Sequence, residues 1–506
     1  MNNTGKFVPI IGKNVIENLT QGMYDDARFV YREYVQNAAD QIDIATKQGL
    51  YKSGEQPSII IQIDKGEKKI EVIDDATGIK QSDVLPLLGN IAQSTKNKYE
   101  DKGFRGIGRL GGLGYCEKLT FETSFFGENV KSTMVWDAKR LKEIFNDGNI
   151  QIGAAELISM TIEYSYSQEK ESEHYFKVTM ENVTNEILLD VQKVKEYLSM
   201  VAPVPFANTF TFKKQIYENA ADKGVQIDEY NVYVNTDPLY KSYKDAILND
   251  KGSDKDEIKD IVFFEEEFNN QSLFWGWYGI TENMYEIPEI NKEKGIRLRK
   301  SNIQIGLENR LNEFFKQPRG NEYFIGEVYA INKELIPNGR RDFFLDNEEC
   351  SQFTTKLREL FLKLYKLYQD FAEKKSAQKT VTEYKELTVK IEDKTIDNSQ
   401  KEELKSKLEK LETKTEKAIK KLDTLKKRYD GQVLGNIIEK MVIETPKQKT
   451  NDVVTIPTQS KTNVSKPTVT IQEENILKKV YTILRSNLIK STAEELIQKI
   501  EEKFKR

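Results

Sequence analysis

Apolar residues between Phe29 and Ala45 recur with a helical period. Phe29, Val30, Tyr34, Ala38, Ile42 and Ala45 share one side, which predicts a helix from Asp25 to about Gln48. On the other side Glu33, Asn37 and Asp40 stand at offsets of four and three, stacking a carboxylate, an amide and a second carboxylate. The stripe is open to two readings. It is either the mixed polar face of an ordinary amphipathic helix or one wall of a site for a metal-bound phosphate. In such a site an amide oxygen coordinates a hard cation and a carboxylate orients water.

After Pro57 the period changes to two. Ile59 to Ile63 and Lys69 to Ile73 read as strands separated by the turn Lys65-Gly66, and further strands are expected at Lys118 to Thr123, Leu157 to Tyr164 and Tyr175 to Met180. A glycine-rich segment runs from Gly103 to Gly114 without the preceding strand that a dinucleotide fold requires. The order implies an α+β protein opening on a layered α/β sandwich. From about Asp190 a second α/β region includes the aromatic run SLFWGWYGI, read as core packing or as a partner-binding surface. It continues through GIRLRKSNIQIG and FIGEVYAI to a closing helix, Phe353 to Phe371. Leu404, Leu408, Leu411, Thr415, Ala418, Leu422, Leu425 and Tyr429 then follow a heptad seam. That helix is expected to pair either with Lys379 to Ile391 or with another subunit. Thr445 to Pro467 has linker composition, and Glu473 to Arg506 reads as two short amphipathic helices.

Composition narrows the chemistry. With 38% hydrophobic residues, 31% charged residues and a mean hydropathy of -0.63, the chain has soluble character. It shows neither a secretory start nor an apolar run of the roughly 18 to 20 residues that spans a bilayer, so a cytoplasmic protein with no membrane partner is expected. Only Cys116, Cys350 and His174 are present, which argues against a Cys/His zinc cluster and leaves acid-base work to carboxylates, Lys or Tyr. Residues 401–506 carry 24 Lys and Arg against 16 Asp and Glu, a basic segment suited to nucleic acid or to simple solvation.

Two further motifs follow the helix. IEVIDDATGI ends a strand in Asp74 and turns through Ala76 to Gly78, aiming a carboxylate able to accept from an exocyclic amine. In Gly103-Phe104-Arg105-Gly106-Ile107-Gly108 the glycines let backbone N–H groups approach phosphate oxygens. In this order the three elements resemble the GHKL ATPases, which include the ninety-kilodalton heat-shock chaperones, MutL, MORC proteins, type II topoisomerases and histidine kinases. GNIAQSTK resembles the lid-side segment of the chaperones, and GFRG the wording of MutL.

The resemblance covers roughly residues 10 to 185 and implies ATP and Mg²⁺ as ligands. It makes Glu33 the base that polarises water, Asn37 the Mg²⁺ ligand, Asp40 a support of the pocket and Asp74 the adenine carboxylate, with Gly78 closing that turn. Gly103 to Gly108, including Phe104, Arg105 and Ile107, would hold phosphates, with Ser94, Thr95 and Lys96 on the lid side. Ala76 replaces a family glycine, and the adenine-side threonine is open between Thr161 and Thr179. ELIPNGRRDFF resembles the chaperone middle-domain segment, matching at Asn338, Arg341 and Asp342. That makes Arg341 the candidate γ-phosphate cation, with Arg340 and Lys300 as rivals.

The expected organisation is a GHKL ATP-binding domain at 1–188, a middle or transducer domain at 189–372, a coiled-coil region at 373–444, a linker at 445–472 and a helical tail at 473–506. The resemblance implies a homodimeric, ATP-driven clamp acting on a protein client or effector. A MORC- or MutL-like nucleic-acid clamp and a nucleotide-gated sensor in anti-phage defence are the alternatives.

Overall fold

In the computed structural model, which describes residues 11–20, 26–91, 106–392, 397–429 and Ile497, the alternating run Ser58–Asp64 forms strand β1 and Lys69–Asp74 forms β2. They pair antiparallel, with Ile59, Ile61, Ile63, Ile70 and Val72 buried. β3 (Lys118–Ser124), β4 (Val130–Asp137), β5 (Ile162–Gln168), β6 (Tyr175–Glu181), β7 (Asn231–Val234) and β8 (Asp237–Pro238) complete an eight-stranded sheet in the order β5-β4-β3-β6-β2-β1-β7-β8. β7 comes from beyond residue 188 and pairs parallel to β1, Ser58 facing Asn231 and Ile61 facing Val234.

The helices of this part are α1 (Asn14–Thr20), α2 (Phe29–Lys47), α3 (Gln81–Val84), α4 (Ala138–Asn146), α5 (Ala154–Thr161), α6 (Val191–Val201) and α7 (Lys213–Asp222). Helix α2 shares one core with the sheet, placing Tyr31, Val35, Ala38 and Ile42 with Ile59, Val72, Leu119 and Phe121. One expected strand needs correction: Leu157 to Thr161 belongs to α5, and β5 starts only at Ile162. Ala154, Leu157 and Thr161 are the buried positions there, a spacing of three and four that fits a helix. Helix α6 begins where Asp190 caps it, its carboxylate accepting from the Lys193 N–H at 3.1 Å.

The second sheet contains β9 (Ala246–Leu248), β10 (Asp254–Phe268), β11 (Gln271–Thr281), β12 (Gly295–Lys300), β13 (Ile303–Gln304) and β14 (Ile325–Ala330), in the order β13-β12-β14-β11-β10-β9. The aromatic run lies in β11 and packs inward: Phe274, Trp275, Trp277 and Tyr278 are all buried. Trp277 sits with Phe206, Phe210 and Tyr243 at ring separations of 5.2 to 6.1 Å. Each such ring removes roughly 150–250 Å² from water, about 4–6 kcal/mol at 25 cal/mol per Å². Core packing therefore accounts for the run.

Helix α8 (Glu348–Glu392) continues past Phe371 as one element, and α9 (Asn398–Arg428) folds back along it. Arg428 and Tyr429 bind Asp370, Lys421 meets Glu373 at 3.1 Å, and Ala418 and Leu422 share a small core with Ala377 and Val381. The two helices thus pair antiparallel within one chain. Among the described residues no helix is long and apolar enough to cross a membrane. The expected linker and tail lie outside the described residues, Ile497 apart.

Candidate nucleotide site

Helix α2 places Arg32 and Glu33 in the interior, both under a tenth exposed. Arg32 Nη2 donates to Glu33 Oε1 at 3.1 Å, and the Arg32 guanidinium lies 4.3 Å from the centre of the Phe29 ring. Two other segments converge on the same carboxylate. Gly108 opens a seven-residue 3₁₀ helix, Gly108–Gly114, so close that a Cβ on it would stand 2.4 Å from Glu33 Oε2. From the second region Arg341 brings its Nε to 3.7 Å from Glu33 Oε1.

Tyr34 fixes the approach of the glycine segment. Its buried hydroxyl accepts from the Gly112 N–H at 3.1 Å and donates to the Arg109 carbonyl at 3.2 Å. The helical period marks Tyr34 only as an apolar position. Its phenol on the helix that carries Glu33 is the signal that would have marked it.

The Arg341 loop is built for presentation. Pro337 and Phe344 bridge at its base, the Asn338 side chain binds Asp342, and the Arg341 N–H donates to the Asn338 carbonyl at 3.1 Å. Arg341 itself has φ +55, a left-handed conformation that an arginine holds only when its surroundings impose it. This geometry gives the Asn-x-x-Arg-Asp spacing its physical sense. Arg340 is exposed, and its carbonyl accepts from Arg32 Nη2 at 3.4 Å. Lys300 donates to the carbonyls of Ile331 and Asn332, at 3.3 and 2.7 Å, and burial pushes its ammonium down to about 8.

At the other end of the stripe, Asp74 closes β2 in a buried position and accepts from the Ala76 N–H at 3.2 Å. Gly78 has φ +69, and a Cβ there would fall 1.8 Å from the Ser124 carbonyl oxygen. Ala76 is absent from the described residues of positive φ, so the turn accepts its methyl group without strain. Thr123 ties the turn to the sheet, accepting from the Ile79 N–H and donating to the Tyr175 carbonyl, both at 2.9 Å. The lone histidine joins in: His174 Nδ1 donates to the Ala76 carbonyl at 2.9 Å. Thr77 Oγ1 reaches Gln41 on α2 at 3.4 Å, linking turn and helix.

Asp40 is buried on α2 and Asn37 half-buried. Among the described residues no three Asp, Glu, His or Cys side chains cluster as a metal site. A single amide ligand suits Mg²⁺, which keeps waters and takes its other oxygens from phosphates. Thr161 ends α5, its hydroxyl on the Leu157 carbonyl. Thr179 faces Glu71, on the side of β6 opposite to Phe176, the residue paired with Asp74. Gly106 has φ +67 and Ile107 is buried, whereas Ser94, Thr95, Lys96, Gly103, Phe104 and Arg105 lie outside the described residues.

Residues 29–185 match the family described as histidine kinase-, DNA gyrase B- and HSP90-like ATPase, and they form a GHKL ATPase domain. The relatives of this domain are Hsp90-like. "Chaperone protein HtpG" of Alcanivorax borkumensis is 26% identical over 138 residues, 24% of this chain and 22% of that protein. The protein of the same name from Anaplasma phagocytophilum is 26% identical over 143 residues, 25% of this chain and 22% of that protein. That from Roseobacter denitrificans is 23% identical over 230 residues, 41% of this chain and 37% of that protein. The chain therefore spans well under half the length of these relatives.

Proposed function

We propose that this protein is an ATP-hydrolysing molecular clamp whose nucleotide cycle remodels a protein client or partner complex. The observation that carries the reading is the Glu33 carboxylate, held between Arg32, Gly108 and Arg341 in the interior. Asp74 would accept from the adenine amine, and the N–H groups of the glycine segment would face phosphate oxygens. Asn37 would ligate Mg²⁺, which neutralises phosphate charge when bound.

Glu33 takes the proton of the water that attacks the γ-phosphorus, while the bond from that phosphorus to the bridging oxygen breaks and ADP leaves. Arg341 offsets the charge that spreads over the transferring phosphoryl oxygens. In the geometry described here Arg341 is engaged by Glu33, so moving between base and phosphate would couple the second region to the nucleotide. A homodimer, in which ATP brings two first domains together, is part of the proposal, as is a cytoplasmic setting. The basic segment 401–506 supports a nucleic-acid clamp as the second reading; its mark would be salt-dependent DNA binding lost on deletion of residues 431–506.

The deciding experiment measures ATP binding by calorimetry and phosphate release side by side. Glu33→Ala is expected to bind ATP without turnover and Asp74→Asn to lose binding. Wild-type turnover in Glu33→Ala would overturn the assignment. Mass measurement in solution with and without nucleotide tests the dimer.

A further inference from the structure

Chain from beyond residue 188 meets α2 at two points. At the N-terminal end Arg341 and the Arg340 carbonyl meet Glu33 and Arg32. Ten residues further on, about 15 Å along the helix axis, the Tyr230 hydroxyl donates to Asp43 Oδ1 at 2.6 Å. Tyr230 is itself buried, and its N–H donates to the Pro203 carbonyl at 2.9 Å.

Tyr230 belongs to the first core, one residue ahead of β7, and both grips are also linked to one hairpin of the second sheet. Ser301 and Asn302 form its turn with φ +50 and +58. Fully buried Asn302 donates through Nδ2 to the Asp228 carbonyl at 2.7 Å, two residues before Tyr230. Just beyond β13, the Gly306 N–H donates to the Arg341 carbonyl at 2.8 Å. Gly306 has φ +71, and a Cβ there would meet the Asp342 carbonyl oxygen at 2.9 Å. The hairpin is anchored in turn. Arg299 donates to the Asn302 carbonyl at 3.0 Å and to the Met200 carbonyl at 2.7 Å, and it pairs with Glu327. Glu327 also takes Lys241 at 2.8 Å, and Tyr329 bridges it to Asn302 Oδ1 at 3.3 Å. Arg299, Lys241 and Glu327 are fully buried, so releasing any one would strand charge in the interior.

We propose that Tyr230 is a positioning residue of the ATPase site, its bond to Asp43 and the Arg341 loop being two ends of one bracket on the Asn302–Gly306 hairpin. The bracket sets α2 in register with Arg341, so that Glu33 and the arginine meet at a fixed separation. The proposal rests on the reading of Glu33 and Arg341 as the hydrolytic pair.

The test uses the full chain with Tyr230→Phe, Asp43→Ala and Asp43→Asn, the last of which keeps an acceptor at Oδ1. In Tyr230→Phe and Asp43→Ala kcat is expected to fall about tenfold with ATP affinity within about twofold, the loss of one hydrogen bond to a charged group. Asp43→Asn restores most of that turnover. In an Arg341→Ala background Tyr230→Phe causes no further loss, since both act through one contact. A second readout needs no hydrolysis: without nucleotide, amide exchange across residues 338–343 quickens in Tyr230→Phe and Asp43→Ala and stays slow in Asp43→Asn. Unchanged exchange and unchanged kcat in Tyr230→Phe, or fully additive losses in the double variant, would overturn the bracket. A wild-type chain that does not hydrolyse ATP defeats the functional reading, while the exchange result still decides the bracket. If Tyr230→Phe fails to fold, the contrast between Asp43→Ala and Asp43→Asn decides it.

Discussion

Adding one methyl group at Gly108 should silence the ATPase site without emptying it. The new Cβ would stand 2.4 Å from Glu33 Oε2 and 3.3 Å from Glu33 Cδ, where ordinary contact begins near 3.4 Å, so something must move by about 1 Å. Backbone strain is not the cause, because Gly108 lies outside the left-handed region and in a 3₁₀ helix. The carboxylate cannot simply swing aside, since Oε1 is held by Arg32 at 3.1 Å and faces Arg341 at 3.7 Å. Nor can the glycine segment retreat freely, because Tyr34 pins it at Gly112 and Arg109. A misplacement of about 1 Å costs on the order of 10²-fold in rate, about 2.7 kcal/mol in the barrier. In Gly108→Ala, steady-state phosphate release should therefore drop about a hundredfold while calorimetric ATP affinity stays within about threefold. Thermal unfolding of the variant confirms that it folds. A folded Gly108→Ala chain that releases phosphate at the wild-type rate would refute the reasoning.

Lys300 and Arg341 should separate cleanly. Arg341→Ala is expected to lower kcat about 10²- to 10³-fold, the scale for losing one transition-state donor, whereas Lys300→Met should keep most turnover and change the pH dependence of stability. The folded-state value of Lys300 lies at about 8, below its ordinary 10.5, so the unfolded chain holds the extra proton between them and stability rises with pH across that window. Chemical denaturation of wild type and Lys300→Met between pH 7.5 and about 9.5, below the ordinary tyrosine range, should show a steeper rise in wild type; equal slopes would contradict the assignment. Asp370→Ala removes the acceptor of Arg428 and Tyr429, with Arg428 half-exposed, so the paired helices should loosen by about 1 kcal/mol. Faster proteolysis between α8 and α9 is the expected sign, and unchanged cleavage would count against that contact.

Much of the first sheet and of the Glu33 stripe was legible because the signals are local. A helix repeats every three to four residues, so Glu33, Asn37 and Asp40 align whatever the tertiary fold. Asp74 and Gly78 were readable for a similar reason, one ending a strand and the other taking the positive φ of a turn. Phe371 was a poor stopping point for a helix because residues 372–378 contain neither Gly nor Pro, and α8 runs through them. The heptad seam of α9 announces a partner, and α8 supplies it through the apolar Ala377 and Val381 as well as through Asp370 and Glu373. Long-range encounters were illegible because they carry no periodic mark. Nothing local tells that Tyr230 meets Asp43, that Arg341 meets Glu33, or that Lys241, Arg299 and Glu327 share one buried cluster.

The parallel pairing of β1 with β7 also has a consequence for synthesis. When the ribosome has released residue 188, β2 already covers one side of β1, but the partner for its other side has not yet been made. Until Asn231–Val234 emerges, the nascent domain presents the open backbone of β1, flanked by Ile59 and Ile61, to any passing strand. Cutting the chain at 188 would make that brief exposure permanent. A soluble nucleotide-binding fragment should therefore extend through Pro238, the end of β8, to carry its own edge protection.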